Sequence, residues 1–147
     1  MRVEEIKQED ADKYFGYVYK ITNTVTDEYY IGKKQFQYLR TVKLTVKKQK
    51  ELNTRKKSIK VVKESDWRDY YGSSSSLTND IEKYGKECFI REVLVLCLTK
   101  RELTYNEVKQ QFKYEVLEDS KSYNQNILGK FWKQPNQECL NETSETK

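Results

Sequence analysis

The sequence predicts a small α+β domain in which a central antiparallel β-sheet is flanked by helices. Two runs rich in Tyr, Val, Ile and Thr, residues 16–23 and 29–34, are joined by a polar turn and are typical of a β-hairpin. A later apolar run, 88–97, predicts a further strand, which we place at the centre of the sheet. Two segments with helical spacing of apolar residues follow the hairpin. The length of 147 residues fits one domain.

The first half of the chain is expected to be mostly strand. Residues 1–14 are charged and predict a helix or a loose lead-in, and the first hairpin is expected over 15–32. Alternating residues then continue over 36–62, broken by a polar stretch at 47–57. This pattern predicts either a basic β-hairpin inserted into the domain, over 33–64, or a mobile basic loop.

The first predicted helix follows a run of four serines. Leu77, Ile81 and Tyr84 have the i, i+4, i+7 spacing of one helix face. A serine before Leu77 can serve as the N-cap, and Gly85 is placed to end the helix.

The longest predicted helix lies over 99–117. It begins with a capping pattern, Thr99 followed by Glu102. Its apolar stripe consists of Leu103, Val108, Phe112 and Val116. The folded domain is expected to span 15–132, and the polar segment 133–147 is expected to be disordered.

Composition excludes several classes of site. The chain has no histidine, so histidine triads, histidine bases and histidine metal ligands are excluded, and hydrolytic chemistry must use Tyr, Lys, Arg or carboxylates. Cys88, Cys97 and Cys139 are odd in number and lack metal-ligand spacing, which favours reduced thiols in a cytoplasmic protein. No apolar run approaches the roughly 18 residues that span a bilayer, so no membrane association is expected.

Positive charge is concentrated in one segment. Between Lys33 and Lys63 twelve Lys and Arg residues stand against Glu51 alone, whereas the net charge of the whole chain is only +5. Such a segment is typical of a protein that binds a polyanion, here double-stranded DNA. The candidate DNA-binding residues are Lys33, Lys43, Lys47, Lys48, Arg55, Lys56, Lys57 and Lys60.

Two tyrosines, Tyr19 and Tyr30, lie on the two strands of the first hairpin and can converge when the strands pair. Gly16 opens the motif, Ile21 and Asn23 follow Tyr19, and Tyr30-Ile31-Gly32 closes it. This pattern resembles the catalytic hairpin of the GIY-YIG nucleases, in a phage-associated branch with a basic insertion after Tyr-Ile-Gly. The resemblance covers about residues 15–132.

The resemblance implies a one-metal phosphodiester hydrolase. Glu107, on the helix after the apolar strand, would bind Mg²⁺ or Mn²⁺, with Glu102 and then Glu115 as alternatives. Asn124 would support the site through hydrogen bonds. Tyr19 would act as general base, with its pKa lowered by neighbouring lysines, and Tyr30 would orient the base or the water.

The sequence does not determine which cationic residue would hold the scissile phosphate. The family places an arginine on the helix after Tyr-Ile-Gly, but here the helix of Leu77 contains Lys83 and no arginine. The candidates are Lys33, Lys34, Arg40 and Arg68.

The leading expectation is a metal-dependent DNA endonuclease of the homing type, from a phage or mobile element. It would act in the cytoplasm of a bacterial host or at the nucleoid. The alternatives are a catalytically inactive DNA-binding module of the same fold, and a restriction or repair nuclease. Specificity is expected to be low, or to depend on a homodimer or a protein partner.

Overall fold

The computed structural model describes residues 1–134, and the expected disordered tail lies outside them except for its first two residues. The helices are α1 (Gln8–Lys13), α2 (Val46–Glu51), α3 (Ser75–Tyr84) and α4 (Lys100–Lys113). The strands are β1 (Gly16–Asn23), β2 (Tyr29–Gln35), β3 (Gln37–Lys43), β4 (Ser58–Glu64), β5 (Phe89–Cys97), β6 (Asn126–Ile127) and β7 (Phe131–Trp132). Short 3₁₀ turns occur at Val3–Glu5, Trp67–Asp69 and Lys86–Cys88. Within residues 1–134 no helix is long and apolar enough to cross a membrane.

The central sheet has the strand order β2-β1-β5, and all pairs are antiparallel. The prediction that the apolar run 88–97 is the central strand is therefore wrong, because β1 holds that position. β1 is buried on both faces, whereas the middle of β5 is only half-buried. The outer edge of β5 contacts the N-terminus, where the Val93 amide donates to the Met1 carbonyl at 2.8 Å.

Each face of the sheet carries its own apolar cluster, as the two-residue period of β1 requires. Tyr17 and Tyr19 point to a cluster that also contains Val3, Phe36, Trp67 and Leu77. Val18 points to the other cluster, which also contains Ile31, Cys97, Leu103, Val116 and Ile127. The sheet is therefore covered by α3 and the N-terminal segment on one face and by α4 on the other.

The helix-end signals are confirmed. The Ser74 hydroxyl accepts from the Leu77 amide, and Gly85 ends α3 with φ +92°. The Thr99 hydroxyl accepts from the Glu102 amide at 3.1 Å. Phe112, however, was predicted to belong to the apolar stripe of α4 and is instead 53% exposed, packed edge-on against Phe131.

The basic segment forms a two-stranded ribbon in the structure. β3 and β4 pair antiparallel from Gln37–Glu64 to Lys43–Ser58. The polar stretch predicted between the strands contains α2, whose N-cap is Thr45. We call residues 37–64 the basic ribbon.

Candidate active site

A cavity of about 500 Å³ opens beside β2, between the start of α3 and the middle of α4. Its lining is polar and brings together residues that are far apart in sequence. The residues that matter for its chemistry are Tyr30, Lys33, Glu107, Gln111, Asn124 and the serines 73–76.

The two motif tyrosines converge as predicted. Tyr19 pairs across the hairpin with Gly32, and the Tyr19 and Tyr30 rings lie 6.2 Å apart. Tyr19 is buried, at 3% exposure. Tyr30 is half-buried and lines the cavity, where its hydroxyl lies 3.4 Å from that of Ser73. Tyr30 is thus the phenol that a molecule in the cavity would meet.

The expectation that lysines lower the pKa of Tyr19 is wrong. Burial raises the pKa of Tyr19 well above its usual value, and the neighbouring Tyr30 adds to that rise. Burial also raises the pKa of Tyr30. Lys34 is turned to Asp66, with 2.6 Å between Nζ and Oδ1, and covers the Tyr70 ring. Both motif tyrosines therefore hold their protons more firmly than an exposed tyrosine does.

Glu107 lies in the middle of α4, one turn from the buried residues Leu103 and Gln111. This spacing turns its carboxylate into the cavity with a side-chain exposure of 17%. Burial raises the pKa of Glu107, and the nearby Lys33 opposes that rise. Lys33 Nζ lies 3.9 Å from the carboxylate and donates to the Thr104 hydroxyl at 3.1 Å.

Glu102 and Glu115, the alternatives to Glu107 as metal ligand, lie outside the cavity. Glu102 accepts from the Leu98 amide at 3.1 Å and so completes the N-terminal cap of α4. Glu115 follows the end of α4 with φ +51°. Neither lines the cavity, and Glu107 is the only carboxylate among the described residues that does.

The donor set of the cavity fits a magnesium-like ion that is shared with a phosphate. No cluster of three or more Cys, Asp or Glu that could hold a metal by itself occurs in residues 1–134. Mg²⁺ is often held by one or two carboxylates and completes its shell with waters and substrate phosphate oxygens. Glu107 supplies one carboxylate, and the cavity leaves room for the other ligands.

The side chain of Asn124 supports β2 by bonding to the backbone of that strand. Its side-chain oxygen accepts from the Ile31 amide at 3.0 Å, and its side-chain nitrogen donates to the Ile31 carbonyl at 2.9 Å. Gln111 donates to the same carbonyl at 3.1 Å. These bonds fix β2 between Tyr30 and Gly32.

Tyr123, the residue before Asn124, also lies at the cavity. Its hydroxyl donates to Asp80 at 2.6 Å and accepts from Asn23 at 3.2 Å. Burial raises its pKa to about 12. This tyrosine therefore joins β1, α3 and the segment of Asn124 rather than offering a reactive group.

Among the four candidates for the phosphate-holding cation, Lys33 is the one that lines the cavity. Lys34 is paired with Asp66. Arg68 pairs with Glu64, bonds to Gln8 and stacks on a tryptophan ring. Arg40 is exposed on β3 of the ribbon.

The other candidate DNA-binding residues are all exposed on the basic ribbon. They are distributed over its strands, α2 and the loop before β4: Lys43, Lys47, Lys48, Arg55, Lys56, Lys57 and Lys60. The structure thus separates one cation in the cavity from seven on the ribbon.

Sequence reasoning missed the serines and Gln111 as parts of the site. The run Ser73–Ser76 was interpreted only as a capping signal, although it also lines the cavity. Gln111 carried a usable signal, because it lies four residues after Glu107 on the inward face of the same helix.

Comparison with protein families gives a match. A family model described as "Putative endonuclease segE, GIY-YIG domain" matches residues 1–127. The tyrosine hairpin, the basic ribbon, Glu107 and Asn124 all lie within this range. Searches of the curated proteins and of the solved structures gave no significant match.

Proposed function

The chain belongs to the GIY-YIG domain family named for the endonuclease segE, and from this membership we propose that it is a metal-dependent DNA endonuclease. One observation carries the proposal: Tyr30, Lys33 and Glu107 converge on one open cavity, although they lie on different elements. In a chain without histidine, a phenol can orient a water, a cation can bind a phosphate and a carboxylate can hold a metal ion.

In the proposed reaction a water oxygen attacks phosphorus and forms a new P–O bond, and the bond to the leaving oxygen of the DNA backbone breaks. The water passes its proton to solvent by way of the Tyr30 hydroxyl, and the leaving oxygen takes up a proton from solvent. Lys33 binds the scissile phosphate and stabilises the negative charge that grows on it. Glu107 holds Mg²⁺ or Mn²⁺. A metal ion bound there would polarise the phosphate and lower the pKa of a bound water.

The tyrosines have different roles in this proposal. Tyr30 contacts the water or the phosphate through its hydroxyl, which is open to the cavity. Tyr19 is a positioning residue, because its buried ring packs against Tyr30 and its raised pKa disfavours the general-base role expected from the sequence. Asn124 keeps β2, and with it Tyr30, in place.

The exposed cations of the basic ribbon hold the duplex near the cavity. Each phosphate that such a cation neutralises releases counterions, so binding is expected to weaken steeply with salt. The biological setting that we propose is a homing-type role in a phage or mobile element.

A nicking assay on supercoiled plasmid with Mg²⁺ tests the activity. The wild-type protein should cut, and a chelator should stop it. Glu107→Gln should abolish cleavage while its affinity for DNA is retained, and Glu102→Gln, the matched control on the same helix, should cut. Nicking by Glu107→Gln would remove Glu107 from the mechanism. Binding without cutting by the wild-type protein would favour the inactive DNA-binding module.

The roles of the tyrosines are tested in the same assay. Tyr30→Phe should slow cleavage by roughly 10²-fold, the usual loss when a proton-handling group is removed. Tyr19→Phe should slow it less, because its hydroxyl does not reach the cavity. A larger loss for Tyr19→Phe than for Tyr30→Phe would make Tyr19 the catalytic phenol.

A further inference from the structure

The base of the basic ribbon is fixed to the core of the domain. Phe36, the single residue between β2 and β3, is fully buried, and its ring packs at a right angle to that of Trp67, 5.1 Å away. Its carbonyl accepts from the Ser65 amide at 2.8 Å, just after β4 ends. The Ser65 hydroxyl donates to the Gln35 carbonyl at 2.5 Å. Both strands of the ribbon are thus held where they leave the domain.

Beyond that base the ribbon has no core of its own. No residue within 37–64 is buried. A two-stranded hairpin alone is only marginally stable in water. Leu39 and Val62 lie opposite each other in the register and are 63% and 58% exposed. These two side chains form an apolar pair across the ribbon, and the exposed area that they leave is surface that a partner can cover.

The two faces of the ribbon differ. The register places Leu39 and Val62 on the same face as polar side chains that can form hydrogen bonds. This reading face consists of Gln37, Leu39, Thr41, Lys43, Ser58, Lys60, Val62 and Glu64, and Glu64, at the base of the ribbon, is paired with Arg68. The opposite face carries the half-buried Val42, Ile59 and Val61 together with the exposed Tyr38, Arg40 and Lys63. The reading face is distinguished by its exposed apolar pair, Leu39 and Val62, and we take it as the face that a partner covers.

The tip of the ribbon is strongly cationic. From Val46 to Lys57 six cations stand against Glu51: Lys47, Lys48, Lys50, Arg55, Lys56 and Lys57. Glu51 itself is paired with Lys48 at 3.7 Å. A patch of this charge is complementary to a phosphate backbone.

We infer that the basic ribbon lies in the major groove of duplex DNA, with its reading face toward the base edges and its tip on the phosphates. The inference rests on the proposed function, since it takes the partner to be the DNA that the cavity cuts. The major groove accepts a two-stranded ribbon, whereas the minor groove is too narrow for one. Thr, Ser, Gln and Lys can bond to base edges, and Leu39 and Val62 can contact thymine methyl groups.

This arrangement fixes where the protein cuts relative to the sequence that it reads. Seven extended residues span about 23 Å, or roughly seven base pairs of B-DNA. Because the base is anchored through Phe36 to the strand that bears Lys33, the distance from the recognised base pairs to the cut is constant.

The test selects bound sequences from randomised duplex DNA with the Glu107→Gln protein, which reports binding without cleavage. A reading-face variant carries Leu39→Ser, Thr41→Ala and Val62→Ser, and keeps every charge. Its matched control carries Val25→Ser and Leu98→Ser, two apolar residues of similar exposure outside the ribbon. A tip variant replaces Lys47, Lys48, Arg55 and Lys56 with Gln. Thermal melting verifies that all variants are folded.

We expect the parent and the matched control to enrich one common motif, and the reading-face variant to lose preference for it by roughly 5- to 100-fold at each lost base contact. The tip variant should keep the motif and bind all DNA more weakly, with a salt slope lower by about three to four. The wild-type protein should cut at one constant distance from the motif.

Three results would overturn the inference: no enriched motif, a motif that survives in the reading-face variant, or cuts scattered relative to the motif. The proposed function fails separately. A protein that enriches the motif through the ribbon but never cuts would refute the endonuclease activity and leave the ribbon as a sequence reader. A protein that cuts but enriches nothing would refute only the reading role.

Discussion

Gly32 is the point at which the geometry of the tyrosine pair can be tested most directly. A Cβ atom at this position would lie 2.5 Å from Tyr19 Oη, 2.8 Å from Tyr19 Cζ and 2.9 Å from Tyr30 Cε1. Real Cβ contacts are not that short, so Gly32→Ala must displace both rings. The substitution adds a single methyl group and introduces no charge.

The expected cost follows from overpacking of a buried site. Forcing a methyl group into a packed region costs about 1–3 kcal/mol. For a domain of this size the melting temperature should fall by roughly 3–10 °C. Cleavage should fall by about 10²-fold, as expected when a reacting group is misplaced by an ångström. Thermal melting and the nicking rate of the same preparation measure the two effects.

A second substitution makes the test specific. Tyr19→Phe removes the nearest atom, so the double variant should recover at least about 0.5 kcal/mol of the stability lost by Gly32→Ala. Gly16→Ala is the matched control, since its Cβ would press on the Lys34 carbonyl and on Leu103 instead. Tyr19→Phe should not rescue that control. Unchanged melting of Gly32→Ala, or equal rescue of both alanine variants, would refute the packing argument.

Three further predictions concern the other residues of the cavity. Lys33→Met should lower kcat by roughly 10²- to 10³-fold, as for a lost transition-state donor. Because Lys33 lowers the pKa of Glu107, the variant should also move any inflection of the pH–rate profile that reports Glu107 to higher pH. A normal kcat would exclude the phosphate role of Lys33. Burial raises the pKa of Glu107, so its ionisation destabilises the fold as pH rises through that pKa. The melting temperature of Glu107→Gln should therefore exceed that of the wild type at pH 7 but not at pH 4. Equal melting temperatures at pH 7 would contradict the prediction that ionised Glu107 destabilises the fold. Asn124→Leu should cost about 1–3 kcal/mol in urea unfolding by leaving the Ile31 amide without an acceptor. Gln111→Leu should cost less, because Asn124 still donates to the Ile31 carbonyl; the reverse order would refute this assignment.

Local features of the fold could be predicted from the sequence. The tyrosine hairpin, the cap at Ser74, the stop at Gly85 and the cap at Thr99 depend on neighbouring residues, and each is confirmed. The position of β5 could not be predicted in the same way. Its apolar run indicates a buried strand, but the order of strands depends on pairings between distant segments, and the N-terminus covers part of its edge.

The exposure of Phe112 has a physical reason that bears on the site. The predicted stripe followed the apolar residues Leu103, Val108, Phe112 and Val116. Two positions of the inward face of α4 are instead Glu107 and Gln111, which serve the cavity and the backbone of β2. When polar residues occupy the buried face of a helix, the apolar residues of the sequence trace a stripe that is rotated away from that face. Phe112 lies on this rotated stripe and was assigned to the core for that reason.

The environment of Glu107 is better suited to binding a cation than to stabilising the fold. Its carboxylate is half-buried between Leu103 and Gln111, and its pKa is raised, so ionisation there is unfavourable. Lys33 does not compensate fully, since 3.9 Å is a loose ion pair and Nζ donates to Thr104 instead. An apolar residue at position 107 would extend the packing around Leu103 without the cost of ionising a buried carboxylate. A cation and a phosphate that enter the cavity would supply the charges that Glu107 and Lys33 lack, so the same groups that weaken the free protein favour the bound state.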